Sequence, residues 1–124
     1  MIENFEMQNY ILDHGKDGVI ILDKNLDVTY ANASAYEILK NDDLIGKNIH
    51  DVFRIYDYYT KVLQTDIIED VLRTLNSSGL KKESAIKNFN DELHFVSASI
   101  SPIYHDSVEG IVIFFKDITK IKKT

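Results

Sequence analysis

Cysteine is absent from the 124 residues. Disulfides, zinc–thiolate sites, iron–sulfur clusters and thiol nucleophiles go with it. The absence fits a reducing compartment, and a cytoplasmic setting is expected. Long apolar runs are missing too. The longest, Val19–Leu22 and Ile111–Phe115, fall far short of the roughly 20 residues a membrane-spanning helix needs, so no membrane contact is expected from this segment. The opening Met1-Ile2-Glu3-Asn4 has no basic start, so no secretory signal is visible. Proline occurs once, at Pro102, near a strand end where a missing donor matters least. Positive charge is scarce: 14 Lys and Arg stand against 20 Asp and Glu, for a net charge of −6. A field of that sign repels phosphate backbones and disfavours nucleic acid as a direct partner. The one basic cluster, Lys116, Lys120, Lys122 and Lys123, reads as a solvated segment at the C-terminal edge.

What is present is ordinary globular material, 44% hydrophobic and 27% charged, enough for one compact domain. Residues Met1–Leu12 place Ile2, Phe5, Ile11 and Leu12 loosely at helical spacing, predicting a short amphipathic helix that ends at His14-Gly15. Val19–Leu22 and Val28–Ala31 read as a hairpin across the polar turn Asp23–Asp27. Asn32 then caps a helix over Ala33–Lys40, with Ala35, Ile38 and Leu39 on one face. Leu44-Ile45 forms a short turn that Gly46 stops. Arg54–Gln64 shows no period. Asp66-Ile67-Ile68-Glu69 resembles a capping box opening a helix over Ile67–Asn76, with Ile68, Val71, Leu72 and Leu75 on one side. Three strands follow: Leu80–Lys87, then Glu92–Ile103, then Gly110–Ile118 after a polar loop over Tyr104–Glu109. The second alternates Val96, Ala98 and Ile100 with Ser97, Ser99 and Ser101. The expected fold is α+β, a five-stranded antiparallel sheet with helices on one face.

Catalytic and metal-binding patterns are thin. His14, His50, His94 and His105 are scattered, with no i, i+4 pair and no carboxylate at ligand spacing. Ser97, Ser99 and Ser101 near His94 and His105 read as one face of a strand, because no G-x-S-x-G elbow surrounds them. Gly46-Lys47 lacks the upstream glycine of a phosphate loop. No nucleophile–base–orienter set can be assembled, and no enzymatic activity is expected.

Four pieces in order carry a resemblance to the PAS domain family. They are Asp17–Asp23, Val28–Asn32, Asp43–Lys47, and Gly110–Thr119 ending in Asp117-Ile118-Thr119. Together with the intervening helices they cover roughly Leu12 to Thr119. The resemblance implies a sensor module of the kind found in histidine kinases, diguanylate cyclases and transcriptional regulators. It implies an N-terminal helix over 1–13, a sensor domain over 14–119, and the start of a linker to a covalently attached output domain over 120–124. It departs from light-sensing members, which use a reactive cysteine, and from haem-binding members, which take a histidine from the helix matched here by Ile67–Asn76. Flavin without a covalent adduct stays open, and no cofactor is named.

By the same resemblance, Arg54–Gln64 is where members shape their pockets. Phe53, Tyr56, Tyr58 and Tyr59 are therefore candidate lining for an unknown small molecule, with Ile68, Leu72, Ser97, Ser99 and Phe114 around it. Tyrosine offers apolar area and one hydroxyl. The alternative is that these rings simply close the core. Which strand face points inward is not decided by period two. Asp117 and Thr119 are expected to carry signal output at the strand–linker junction, while Asn32 and Gly46 are structural caps. A homodimer is expected. The competing reading is a ligand-free module for dimerisation or protein interaction.

Overall fold

The computed structural model describes residues 17–64, 66–80 and 83–119. The expected helix over 1–13 and linker over 120–124 lie outside the described residues. The elements are β1 (Gly18–Asp23), β2 (Val28–Ala31), α1 (Ala33–Leu39), α2 (Ile49–Val52), β3 (Ile55–Asp57), β4 (Leu63–Gln64), α3 (Ile67–Thr74), β5 (Ser78–Gly79), β6 (Ser84–Lys87), β7 (Leu93–His105) and β8 (Ser107–Asp117). They form an eight-stranded antiparallel sheet in the order β2-β1-β8-β7-β6-β3-β4, with β5 also pairing with β7.

The five expected strands are β1, β2, β6, β7 and β8. Three short ones are added. β3 and β4 come from the stretch without a period, and β5 comes from residues read as a helix end. Two or three residues cannot display an alternation, so pairing with neighbours creates these strands rather than local pattern. The loop expected over Tyr104–Glu109 is also corrected. β7 and β8 pair out to His105 and Ser107, and the reversal contracts onto Asp106 at φ 64°, a left-handed conformation that aspartate tolerates.

The opening hairpin is held by side chains as much as by its ladder. Asp23 Oδ1 accepts from the amides of Asn25 at 2.9 Å and Asp27 at 3.1 Å, which turns the chain toward β2. Asn32 Oδ1 accepts from Ala35 N, capping α1, and from Val19 N in β1, both at 2.9 Å. Its Nδ2 donates to Asp17 O at 3.0 Å. One buried amide thus ties strand to helix. β1 then pairs over its whole length with β8, from Gly18 opposite Phe115 to Asp23 opposite Gly110. A methyl at Gly110 would lie 1.9 Å from the Leu22 carbonyl oxygen, so only glycine permits that approach. Gly46 sits at φ +84° and donates its amide to Val28 O at 2.8 Å.

The helices cover one face of the sheet. Ile20, Leu22, Val96, Ile100, Ile111, Ile113 and Phe115 meet Ala35 and Leu39 of α1, Ile49 of α2, and Ile68 and Val71 of α3 in a single core. That settles the orientation left open by the sequence: Val96, Ile100, Ile113 and Phe115 point in, while Ser97, Ser99 and Phe114 point out. α3 starts without the capping box. Asp66 makes no side-chain cap bond, and the Glu69 carboxylate that should reach back to it contacts His50 instead, at 2.5 Å. Among the described residues, no helix is long and apolar enough to cross a membrane.

Candidate functional site

Two places in the fold gather side chains that packing alone does not explain. The first lies between α2, the β3–β4 ribbon and the start of α3. Asn48 Oδ1 accepts from His50 N at 3.1 Å and so opens α2. That helix sends the buried Phe53 under the sheet, where its ring meets Phe115 edge-on at a centroid distance of 4.9 Å. β3 and β4 pair Ile55 with Gln64, and directly opposed residues share one face of the ribbon. Ile55 is buried, so Gln64 is aimed toward the interior with it. A pocket of about 240 Å³ opens here, with Phe53, Ile55 and Leu63 as its apolar wall and His50, Arg54 and Glu69 at its rim. The Gln64 Oε1 atom is buried and accepts no hydrogen bond. Such an orphaned acceptor costs about 1–3 kcal/mol. The His50–Glu69 contact closes one side by joining α2 to α3.

The second place is the end of β8. Asp117 Oδ1 accepts from Thr119 N at 2.9 Å and from Thr119 Oγ1 at 2.6 Å. Its Oδ2 lies 3.0 Å from His94 Nδ1. The Thr119 hydroxyl is 3.4 Å from the same nitrogen, and Ile118 N donates to Phe95 O at 2.9 Å. The final residues of the sheet are therefore fastened to the first residues of β7 by backbone and side chains together. Behind them Glu92 reaches within 3.8 Å of His94 Nε2 and accepts from the buried Asn88 at 3.0 Å. A groove of about 740 Å³, lined mostly by polar residues, separates this junction from Glu37 of α1 and from Lys40 at its C-terminal cap.

The candidate lining residues fall at separate places in the fold. Phe53 and Ile68 are buried in the core, and Leu72 packs against it. Of these, Phe53 lines the pocket. Tyr58 stacks on Phe95 at 3.9 Å. Tyr59 is 67% exposed and leans on Tyr58 edge-on. Tyr56 lies beneath the Lys87 ammonium at 5.2 Å. Ser97, Ser99 and Phe114 lie apart from that pocket: together they line a depression of about 180 Å³ on the outer face, because the alternation of β7 and β8 buries their neighbours instead. The Ser101 hydroxyl accepts from Ser77 Oγ at 3.0 Å.

Gln64, Arg54 and His94 were missed by sequence reasoning. Gln64 and Arg54 fall in the stretch with no period, and His94 meets Asp117 only because β7 lies beside β8. Among the described residues, no group of three His, Cys, Asp or Glu side chains could hold a metal ion.

A family model described as the PAS domain matches residues 16–120. Among curated proteins, no sequence matches. Several solved structures are similar in fold. The PAS domain of nitrogen regulation protein NR(II) from Vibrio parahaemolyticus is 15% identical at a TM-score of 0.71, covering 90% of this chain and 98% of that one. The PAS domain of a LuxR-family transcriptional regulator from Burkholderia thailandensis, in complex with ethanol, is 16% identical at 0.63, covering 89% and 96%. The Vibrio cholerae VqmA dimer is 14% identical at 0.67, covering 94% of this chain and 52% of that one.

Proposed function

The chain belongs to the PAS domain family, and from that premise we propose that it is the input module of a signalling protein, reading a small molecule beside Phe53 and passing the change to Asp117–Thr119. The observation that carries this reading is the position of Phe53. Its ring borders the pocket on one side and touches Phe115 on the other. Phe115 stands in β8, two residues before Asp117. A ligand that repositions Phe53 acts on the strand whose end holds the junction. For the signal to pass, the ligand must bind one arrangement of sheet and junction better than the other.

The Asp117–Thr119–His94 cluster is suited to the receiving end. It fixes the direction in which the chain leaves the sheet through one carboxylate with several partners, so a small shift of β8 exchanges one set of bonds for another. An attached output domain and a cytoplasmic setting belong to this reading, and no catalytic step does. The ethanol complex of the Burkholderia thailandensis domain supports a small-molecule input by analogy of fold. The test is a melting-temperature screen of the purified chain against small metabolites, haem and flavin. At least one compound raises the melting temperature in a concentration-dependent way. A flat response to all of them contradicts the proposal.

A second reading rests on Phe114, which is 39% exposed in the middle of β8 and opposite Ser99. An aromatic ring at the centre of an outer sheet face is suited to a partner copy, and the VqmA relative is described as a dimer. A dimer in light scattering that Phe114→Ser dissolves supports this reading. A strict monomer at high concentration contradicts it.

A further inference from the structure

We infer that the segment Met1–Leu12 docks on the outer face of its own sheet, its apolar stripe laid across the depression beside Phe114. This goes beyond the sensor reading and does not depend on it. It puts a segment of the same chain where a second copy would otherwise sit.

Three observations point to this seat. The first is its shape. Val19, Phe114, Ser99 and Gly79 stand directly opposite one another on β1, β8, β7 and β5, so they form one row across the outer face. Past Val19 the row falls from an aromatic ring to a hydroxyl and then to no side chain at all. Beside it lies the depression of about 180 Å³ that Asp17, Ser97, Ser99, Phe114 and Lys116 line. Phe114, 39% exposed, is its apolar centre, and the small residues next to it let a helix come close.

The second observation is the course of the chain. Asp17 lines the depression and is held there from two sides. Its backbone oxygen accepts from Asn32 Nδ2 at 3.0 Å, and its carboxylate lies 3.7 Å from Lys116 Nζ. The chain therefore enters the sheet at the rim of the seat. From Leu12 to Asp17 it reaches at most about 18 Å, and Gly15 is free to reverse its direction. The third is length and pattern. Ile2, Phe5 and Leu12 follow helical spacing, with Glu3, Glu6 and Gln8 between them. Twelve helical residues measure roughly 18 Å, and four strands about 4.8 Å apart measure about 14 Å across. The segment is long enough to cross the whole row.

Two other arrangements are weaker. Asp17 also borders the groove next to α1, but Glu37, Lys40, His94, Lys116 and Asp117 line that groove. An apolar stripe buried there would strip water from those charged groups. A second copy would have to compete with a segment tethered by a short link, whose effective concentration a free chain does not match. The seat also lies on β8, where Phe53 touches Phe115 from the inner face. Segment and pocket thus address one strand from opposite sides.

The test uses the full chain. Its lack of cysteine lets a single nitroxide be attached at Ser101→Cys, beside the row on the outer face, or at Glu37→Cys on α1. The Ser101 label is expected to remove more than half of the intensity of the Phe5, Ile11 and Leu12 amide signals, and the Glu37 label to leave them unchanged. Adding Phe5→Glu to the Ser101-labelled chain is expected to restore the signals, because a carboxylate is not buried against Phe114 without a partner. A mixture of isotope-labelled chains without nitroxide and nitroxide chains without isotope is expected to lose nothing. Full intensity with the Ser101 label overturns the inference, as does a loss that survives Phe5→Glu. A loss from the Glu37 label overturns it in favour of the charged groove, and a loss in the mixture overturns it in favour of a second copy on this face.

Discussion

Replacing Asn32 by alanine tests the joint between strand and helix. The side chain is 3% exposed and accepts from two amides while donating to a third residue. Those bonds are not equally replaceable. Ala35 N also reaches Asn32 O at 3.1 Å, a backbone bond that survives the substitution, so loss of the cap there removes about 0.5–1 kcal/mol. Val19 N bonds to the Asn32 side chain at 2.9 Å. In Asn32→Ala this donor is buried without a partner, at about 1–3 kcal/mol. The sum is about 1.5–4 kcal/mol, equivalent to a fall of roughly 6–16 °C in melting temperature for a domain of this size. Urea unfolding followed by circular dichroism measures it. Asn32→Ser serves as the comparison: a shorter side chain can keep the cap but not the reach to Val19, so it recovers less than half of the loss. A destabilisation below about 0.5 kcal/mol for Asn32→Ala would falsify the claim that this amide joins β1 to α1.

Other substitutions probe other parts of the frame. Gly110→Ala forces a methyl against the Leu22 carbonyl at a strand pairing, and a loss of about 2–3 kcal/mol in denaturant unfolding is expected; a neutral result means β1 and β8 are spaced differently. Phe53→Ala opens a cavity where two rings meet and is expected to lose about 3–5 kcal/mol, while Phe53→Leu loses much less. At the junction, a double-mutant cycle of His94→Gln with Asp117→Asn is expected to show a coupling of about 0.5–1 kcal/mol, as both groups are about a third exposed to solvent. A coupling of zero means the contact does not fasten β7 to β8.

The frame was legible because it is written in long, strongly patterned elements. The apolar run at β1, the cap at Asn32 and the closing Ile-Val-Ile-Phe-Phe strand each announce themselves locally, and their order implies the sheet. The pocket was not legible for a physical reason. Its wall depends on β3 and β4, which together contain five residues and exist only by pairing. A local signal for their turn was present in Asp57, whose Oδ1 accepts from the amides of Tyr59 and Thr60 at 3.0 and 2.9 Å, but three adjacent aromatic residues obscured it. The orientation of β7 had no local answer at all. Alternation says that Val96 and Ser97 face opposite ways, and only the helices packed behind Val96 say which side is the interior. His94 shows the same limit from the other direction, as its role is set by a residue 23 positions along the chain that the hairpin returns to its side.

In the sensor proposed above, occupancy beside Phe53 and bonding at Asp117–Thr119 are linked. Hydrogen exchange at the Ile118 and Thr119 amides measures that link directly, since both donate into the junction, to Phe95 O and Asp117 Oδ1. With a ligand bound that shifts the Phe53 and Ile55 amides, their exchange rates change by at least threefold, and the change disappears in Phe53→Leu. Ligand binding that leaves both amides exchanging at the unliganded rate shows that pocket and junction are not linked.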